Sequence, residues 1–445
     1  MARTLSFFVN VGSAGYHPAA WLDPALAPDA FIDLAHYRRV AEVAERGALD
    51  GLLLPDIPVQ QPGIARGPAA TLDPVLVTAA LAVSTERIGL VPTASTTLNR
   101  PYNLARRILS LDHASHGRAG WNAVTTFEPR AAANFGLRDL PARDERYRRA
   151  AEYLGVVTGL WDSWEDDAVI GDQGSGVFAD PEKVHALNHV GEFYSVAGPL
   201  NVVRSPQGRP VLVQAGASPQ GRAFAAAHAE VIYTSQLSLA AVREFSAEVR
   251  AAAAAHGRDP EALRILPGLV PIIGSTEAEA RARFDALQNR LHPESAPVRT
   301  LAQWLGYPDA ELELDAPLPE RYTVLPAGRV GPEGFFTALT RYAVETGFTV
   351  RELLTHVLGG HRVVIGTPKT VADHIELWFR NGGIDGFTVI PAVLPASLAD
   401  FVDEVVPELR RRGLFRHGYD GTTLREHLGL PVPANTYRTV SPIGR

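Results

Sequence analysis

The segment GASPQG, residues 216–221, is the part of the sequence whose composition most directly suggests ligand chemistry. Ser218 is followed by Pro219, a pair typical of a helix N-cap and the first helical residue. Glycines beside such a cap leave backbone N–H groups open at the positive end of a helix dipole, which favours a bound phosphate. A plain cap without a ligand is the alternative. The segment is not a nucleophile elbow, because Gln220 stands where G-x-S-x-G needs its second glycine.

Other polar side chains that could do chemistry follow short apolar runs along the chain. They are hydroxyls and amides with one carboxylate and one imidazole, and they include His17, Asp56, Thr93, Asn122 and Gln214. No pair of carboxylates, histidine cluster or lysine accompanies them. Such a set lacks the residues for paired-carboxylate, histidine-ligated metal or Schiff-base chemistry.

Composition argues against several other kinds of site. The chain has no cysteine, which excludes disulfides, thiolate nucleophiles and cysteine-ligated metals. His113 and His116 lie at the end of a predicted helix without a third ligand, and residues 165–167 are typical of a solvated acidic loop, so we predict no metal site. With 42 Lys and Arg against 49 Asp and Glu, the net charge of −7 gives no basic surface for nucleic acid.

The sequence is typical of a globular cytoplasmic protein. Of its 445 residues, 46% are hydrophobic and 20% are charged, which is ordinary for a folded chain. No run approaches the roughly 20 apolar residues of a membrane helix. The first ten residues lack the long apolar core and cleavage pattern of a signal peptide. We therefore expect no membrane association and a cytoplasmic location.

The elements that must position the polar residues alternate between short apolar strands and amphipathic helices. Eight strands are predicted, at residues 6–10, 51–55, 88–95, 119–125, 210–216, 231–235, 264–274 and 386–391. Their continuously apolar character is typical of a parallel sheet covered on both faces. Eight repeats predict a (β/α)8 TIM barrel, whose functional residues follow the carboxyl ends of the strands. The alternative, a doubly wound sheet, lacks its G-x-G-x-x-G motif after the first strand.

The barrel is predicted as a single domain over residues 1–445, with three segments outside the repeat. Insertions are expected at about 165–209 and 292–365, and the second is long enough to form a lid or a substrate wall. A C-terminal arm is expected from about 415. It would wrap the surface of its own barrel or pack on a partner subunit.

Several blocks of the sequence resemble the bacterial luciferase-like FMN-dependent monooxygenases. They include SHGRAGWNAVTT at 115–126, DERY at 144–147, RPVLVQAGASPQGRAFAAAHAE at 209–230 and RRGLFRHGYDGTTLREHLGLP at 411–431. The blocks span nearly the whole chain in the family's order. They are most similar to the subgroup of nitrilotriacetate, dibenzothiophene sulfone and long-chain alkane monooxygenases.

The resemblance implies a luciferase-like barrel that binds reduced FMN (FMNH2) supplied by a separate NAD(P)H-dependent flavin reductase. With O2, such an enzyme oxygenates a small organic substrate through a C4a-peroxyflavin. Its relatives are dimers or tetramers, so the resemblance also implies a homodimer or homotetramer. An F420-dependent oxidoreductase on the same barrel and a non-catalytic flavin-binding barrel are the alternatives.

The resemblance also implies the cofactor-binding residues, each of which matches a family position. They are Asp56, Thr93, Asn122, Arg143, Tyr147, Gly216, Ala217 and Ser218. Arg143 departs from the family, which has histidine there, but an arginine can also pair with a phosphate. His17 is the candidate catalytic residue, as a proton donor or a substrate-orienting group, and a packing histidine is the alternative. Trp21 and Trp121 would stack near the flavin or fill the core.

Overall fold

A closed barrel of parallel strands forms the centre of the computed structural model, which describes residues 3–60, 64–65, 67–68, 71–291, 297–326, 331 and 333–437. The parallel strands are β1 Ser6–Asn10, β2 Gly51–Leu54, β3 Gly89–Ser95, β4 Gly120–Val124, β5 Val211–Ala215, β6 Val231–Thr234, β7 Arg264–Ile273, β8 His361–Gly366 and β9 Gly386–Val389. Strands β1 to β7 pair in order, and β9 pairs with both β7 and β1, which closes a ring of eight. The predicted (β/α)8 barrel is confirmed.

Strand β8 lies outside the ring and was not predicted. It pairs with the second half of β7, from Leu269 to Ile273, after β7 has left its contact with β6. Residues 357–358 add a short antiparallel strand to β8. The end of the second insertion is therefore joined to the barrel by a sheet extension at the end of β7.

Helices surround the ring and also occur in the second insertion and in the C-terminal arm. They are α1 Leu34–Arg46, α2 Pro74–Ala82, α3 Pro101–Ala114, α4 Ala131–Asn134, α5 Arg143–Trp161, α6 Pro219–His228, α7 Leu239–Ala255, α8 Glu277–Asn289, α9 Pro297–Leu305, α10 Glu333–Thr346, α11 Val350–His356, α12 Pro368–Asn381, α13 Ala396–Asp400, α14 Val406–Arg411 and α15 Leu424–His427. Outward-facing residues such as Phe7, Val9 and Phe387 pack against them. Within the described ranges, no helix combines the length and apolar character needed to cross a membrane.

The interior of the barrel is apolar toward the amino ends of its strands. Residues from six strands share one buried cluster, and such residues can meet only inside the ring: Phe8, Leu53, Val91, Val211, Val213, Val231 and Leu266. Because side chains alternate along a strand, these residues identify the inward positions of each strand. The position two residues further along each strand therefore also faces inward, closer to the carboxyl end.

The C-terminal arm closes the amino end of its own barrel. Leu424, Leu428 and Leu430 belong to the interior cluster. A Cβ on Gly89 would lie 2.5 Å from Leu424 Cδ1, so a glycine at the start of β3 makes room for the arm. Further along, Thr436 donates from its backbone to Asp162 at 2.9 Å, which ties the arm to the end of α5.

The two insertions differ in character. The first carries short hairpins, formed by residues 169–172 with 177–179 and 189–190 with 195–196. The second contains α9, α10 and α11, which share a small core of their own that includes Leu301, Leu339 and Leu353. The second insertion is thus a packed helical unit between β7 and β8.

Candidate active site

The loop after β5 leads directly into α6. Ser218 is extended, with φ −68° and ψ 160°, and its Oγ accepts a hydrogen bond from Gly221 N at 3.2 Å. Pro219 is the first helical residue. The predicted N-cap is therefore present, and the first backbone N–H groups of a ten-residue helix are directed at the loop formed by Gly216, Ala217 and Ser218.

The structure brings Tyr147 to this cap, although 70 residues separate them in the chain. A Cβ placed on Gly221 would lie 3.1 Å from the Tyr147 hydroxyl and 3.2 Å from Ser218 Oγ. Both hydroxyls therefore lie beside the first turn of α6, and a Cβ at position 221 would crowd them. Two hydroxyls and the positive end of a helix dipole form an arrangement suited to an oxyanion.

Arg143 lies at the start of α5 and makes an ion pair with Glu333, the first residue of α10. A Cβ on the next residue, Gly334, would lie only 2.6 Å from the Ala217 Cβ. The second insertion therefore reaches the loop after β5 and places a carboxylate beside it. Sequence reasoning missed Glu333, since no local pattern links residues 190 positions apart.

Inward-facing polar side chains form a layer above the apolar interior. Asn122 Nδ2 donates to Thr93 Oγ1 at 2.9 Å, which joins β4 to β3. The Asn122 Oδ1 atom is buried and has no hydrogen-bond partner within the described residues. The same holds for Thr388 Oγ1 on β9. The barrel therefore holds unused hydrogen-bonding capacity below its mouth.

Tyr233 and His361 complete this layer and were missed in the sequence. Tyr233 lies two residues after inward-facing Val231, and alternation along β6 could have identified it. Its hydroxyl lies 2.8 Å from His361 Nε2 and accepts from Asn10 Nδ2 at 3.3 Å. His361 starts β8, so its position depends on the strand that the sequence did not reveal.

Asp56 lies two residues beyond the end of β2. Burial, helped by the neighbouring charge of Asp73, raises the pKa of its carboxyl to about 6. The carboxyl ends of parallel strands meet at one end of a barrel, so Asp56 is on the same side as the loop after β5. Its carboxyl can hold a proton in weakly acidic solution, which an exposed aspartate cannot.

His17 is 2% exposed, and its ring organises its own loop. The Nδ1 atom accepts from Ala19 N at 3.1 Å, while the backbone of His17 donates to Ala392 O. Burial lowers the pKa of the imidazole to about 4, so the ring is neutral at pH 7. These contacts support the packing alternative, and a role in proton donation stays a prediction.

The two tryptophans occupy different environments. Trp121 is fully buried outside the ring, where it packs on Tyr153 and Trp161 and donates from Nε1 to Ala94 O at 3.0 Å. It therefore fills the core and does not reach the barrel mouth. Trp21 is half-buried in the loop after β1. Across the described ranges, no group of three His, Asp or Glu side chains is arranged to hold a metal.

Comparisons with known proteins agree with this architecture. The sequence profile of the luciferase-like monooxygenases matches residues 4–386. N-acetyl-S-(2-succino)cysteine monooxygenase from Bacillus subtilis (strain 168) is 43% identical over 438 residues, which cover 98% of each chain. Nitrilotriacetate monooxygenase component A from Aminobacter aminovorans is 42% identical over 438 residues, covering 95% of this chain and 96% of that protein.

A solved structure gives the same result. Riboflavin lyase (RcaE), determined with modified FMN and its substrate riboflavin, superposes with a TM-score of 0.84 at 33% identity, and 97% of each chain is covered. The match to nitrilotriacetate monooxygenase also confirms the subgroup expected from the sequence blocks. The chain belongs to the luciferase-like monooxygenase family.

Proposed function

We propose that this protein is an FMNH2-dependent monooxygenase of a two-component system, which uses O2 to oxygenate a small organic substrate. The observation that carries the proposal is the oxyanion-binding arrangement after β5, where the Ser218 and Tyr147 hydroxyls both lie beside the first turn of α6. It stands at the mouth of a barrel whose inward side chains nearest the mouth, such as Thr93, Asn122 and Tyr233, are polar and uncharged. FMN requires both environments side by side, because its phosphate needs the oxyanion site and its ring needs the polar, uncharged barrel mouth.

The residues present fit the phosphate of FMN. Ser218 and Tyr147 supply hydroxyl donors, and Gly216 and Ala217 are small, half-buried residues beside them. Arg143 is the positively charged residue that the resemblance assigns to the phosphate. In this structure its guanidinium forms an ion pair with Glu333. We propose that these residues bind the phosphate, with Arg143 released from its carboxylate partner.

The residues present also fit a flavin ring at the barrel mouth. Thr93 and Asn122 are hydrogen-bonded to each other, and the free Asn122 Oδ1 can accept a hydrogen bond from a ligand N–H. Asp56 adds a carboxyl that is protonated more readily than usual. Reduced FMN supplies the reaction with O2 when it is bound, while the protein binds, orients and excludes water.

The partner components follow from the proposal. The relative from Aminobacter aminovorans is named component A, which supports a separate component that delivers the reduced flavin. We propose an NAD(P)H-dependent flavin reductase for that role here, and a homodimer or homotetramer as the assembly. We propose His17 as a proton donor only if a ligand can reach the buried Nε2 atom of its ring.

The test is anaerobic titration of the protein with reduced FMN, followed by rapid mixing with O2. We expect tight binding, and then a flavin spectrum that differs from both reduced and oxidised FMN and decays slowly. No binding of reduced FMN, or oxidation at the rate of free flavin, would contradict the proposal. Binding of F420 in preference to FMN would instead support hydride transfer on the same barrel, and FMN binding without O2 reaction would support a non-catalytic barrel.

A further inference from the structure

We infer that Asn10, Tyr233 and His361 form a subsite at the barrel mouth that takes an uncharged hydrogen-bond acceptor, such as a carbonyl or sulfonyl oxygen. The inference rests on the proposed function, because the acceptor belongs either to the substrate or to the ring of the bound flavin. None of the three residues was assigned a role by the sequence or by the family resemblance.

The three side chains come from distant parts of the barrel. Asn10 ends β1, Tyr233 lies in β6, and His361 begins β8. The Tyr233 hydroxyl accepts from Asn10 Nδ2 at 3.3 Å and lies 2.8 Å from His361 Nε2, with the two rings stacked at 5.3 Å. The group therefore spans the barrel at the level where β5 ends, since Tyr233 is in register with Ala215.

Counting protons shows that this group keeps one donor unused. The phenol and the neutral imidazole each carry one N–H or O–H proton, and only one of the two can lie in the bond between them. If Tyr233 donates, the proton on His361 Nδ1 is left over, and that atom is buried without a partner in the described part of the chain. If His361 donates, the Tyr233 O–H proton is left over. In both tautomers a buried donor needs an acceptor.

The surroundings of the group are uncharged. The His361 ring is packed edge-on by Tyr16 and Phe335, and the Tyr16 hydroxyl donates to Gly359 O at 3.0 Å. The neighbouring Arg362 turns its guanidinium to the Tyr342 hydroxyl. Burial lowers the pKa of His361 to about 3 and raises that of Tyr233 well above 10, so both stay neutral. A carboxylate here would lose its hydration without gaining a counter-charge, whereas a neutral oxygen would gain a hydrogen bond.

The backbone holds the imidazole in this position. A Cβ on Gly268 would lie 2.2 Å from His361 Nδ1, and a Cβ on Gly360 would lie 2.6 Å from the Phe335 ring. Gly360 has φ +78°, which other residues rarely adopt. Gly268 therefore makes room for the imidazole and Gly360 for the Phe335 ring that packs on it, and the unused imidazole nitrogen is held against β7.

The test compares the double variant Tyr233→Phe/His361→Phe, which removes both protons of the pair, with Tyr16→Phe, a control that loses a hydroxyl from the same aromatic cluster. Kd values are measured for oxidised FMN, and then for dibenzothiophene sulfone and nitrilotriacetate on the FMN-loaded protein. If the flavin supplies the acceptor, the double variant weakens FMN binding by about 5- to 30-fold. If the substrate supplies it, FMN binding is unchanged and sulfone binding weakens by a similar factor. Tyr16→Phe changes neither.

Two results would overturn the inference. One is equal binding of FMN and of the sulfone by wild type and the double variant, which includes the case where the sulfone does not bind. The other is tight binding of nitrilotriacetate that the double variant weakens, because the subsite would then take a carboxylate. Thermal unfolding of both variants shows whether a loss of binding is a loss of fold. Failure of wild type to bind FMN at all would instead contradict the proposed function.

Discussion

Replacement of Ser218 by alanine separates the structural role of this cap from its proposed role in binding phosphate. Ser218 Oγ accepts from Gly221 N at 3.2 Å, and Ser238 Oγ accepts from Ala241 N at 3.2 Å at the start of α7. The two serines therefore cap their helices with the same geometry. Loss of either cap should cost about 1 kcal/mol of unfolding free energy. Ser238→Ala is thus a matched control, although Ser238 also donates to Glu345 on the surface.

Only Ser218 is proposed to contact a ligand. A hydrogen bond from its hydroxyl to a charged phosphate is worth roughly 1.5–3 kcal/mol, or about 10- to 100-fold in Kd. Ser218→Ala should weaken FMN binding by that factor and leave riboflavin, which lacks the phosphate, unaffected. Ser238→Ala should bind both like wild type. Flavin fluorescence quenching measures the affinities of wild type and both variants for FMN and for riboflavin. The assignment of the phosphate is refuted if Ser218→Ala binds FMN as wild type does, or if it loses FMN and riboflavin equally.

Three further changes test other parts of the structure. Glu333→Gln removes a carboxylate beside the proposed phosphate site and frees Arg143. FMN should then bind roughly fivefold more tightly, while the affinity for riboflavin is unchanged. A weaker FMN affinity would show that Glu333 helps to build the site. Leu424→Ala opens a cavity where the arm enters the barrel, and it should lower the free energy of unfolding in urea by about 2–5 kcal/mol. A decrease below about 1 kcal/mol would mean that the arm is not needed for the core. Because burial raises the pKa of Asp56 to about 6, above its value in the unfolded chain, the stability that this group contributes is present near pH 4 and is lost as the pH rises through 6. Asp56→Asn should therefore lose less stability than wild type between about pH 4 and pH 7, and equal losses in urea midpoints would contradict the shifted pKa.

The ring of eight strands could be predicted from the sequence because each strand is a short apolar run between helical patterns. SFFVN and GLLL, for example, are buried throughout, as a sheet covered on both faces requires. Strand β8 was missed for a physical reason. HRVVIG follows a long insertion, its burial alternates only in part, and it pairs outside the ring. Nothing in the strand–helix repeat required a ninth strand.

The candidate site could be predicted where one local segment determines it. The Ser218 cap follows from a short-range pattern and is present, and Asn122 lies on the predicted fourth strand, where it bonds Thr93. Contacts between distant segments could not be predicted. The Glu333 carboxylate reaches Arg143 from an insertion, and His361 reaches Tyr233 from β8. These positions depend on how the second insertion packs on the barrel, which no residue spacing encodes.

The most direct test of the account is a crystal structure of the protein with bound FMN. We expect the phosphate beside Ser218 and Tyr147 at the N-terminus of α6, with the ring extending over the mouth toward Thr93 and Asn122. A phosphate bound anywhere else on the chain, or a ring directed away from the barrel mouth, would contradict it.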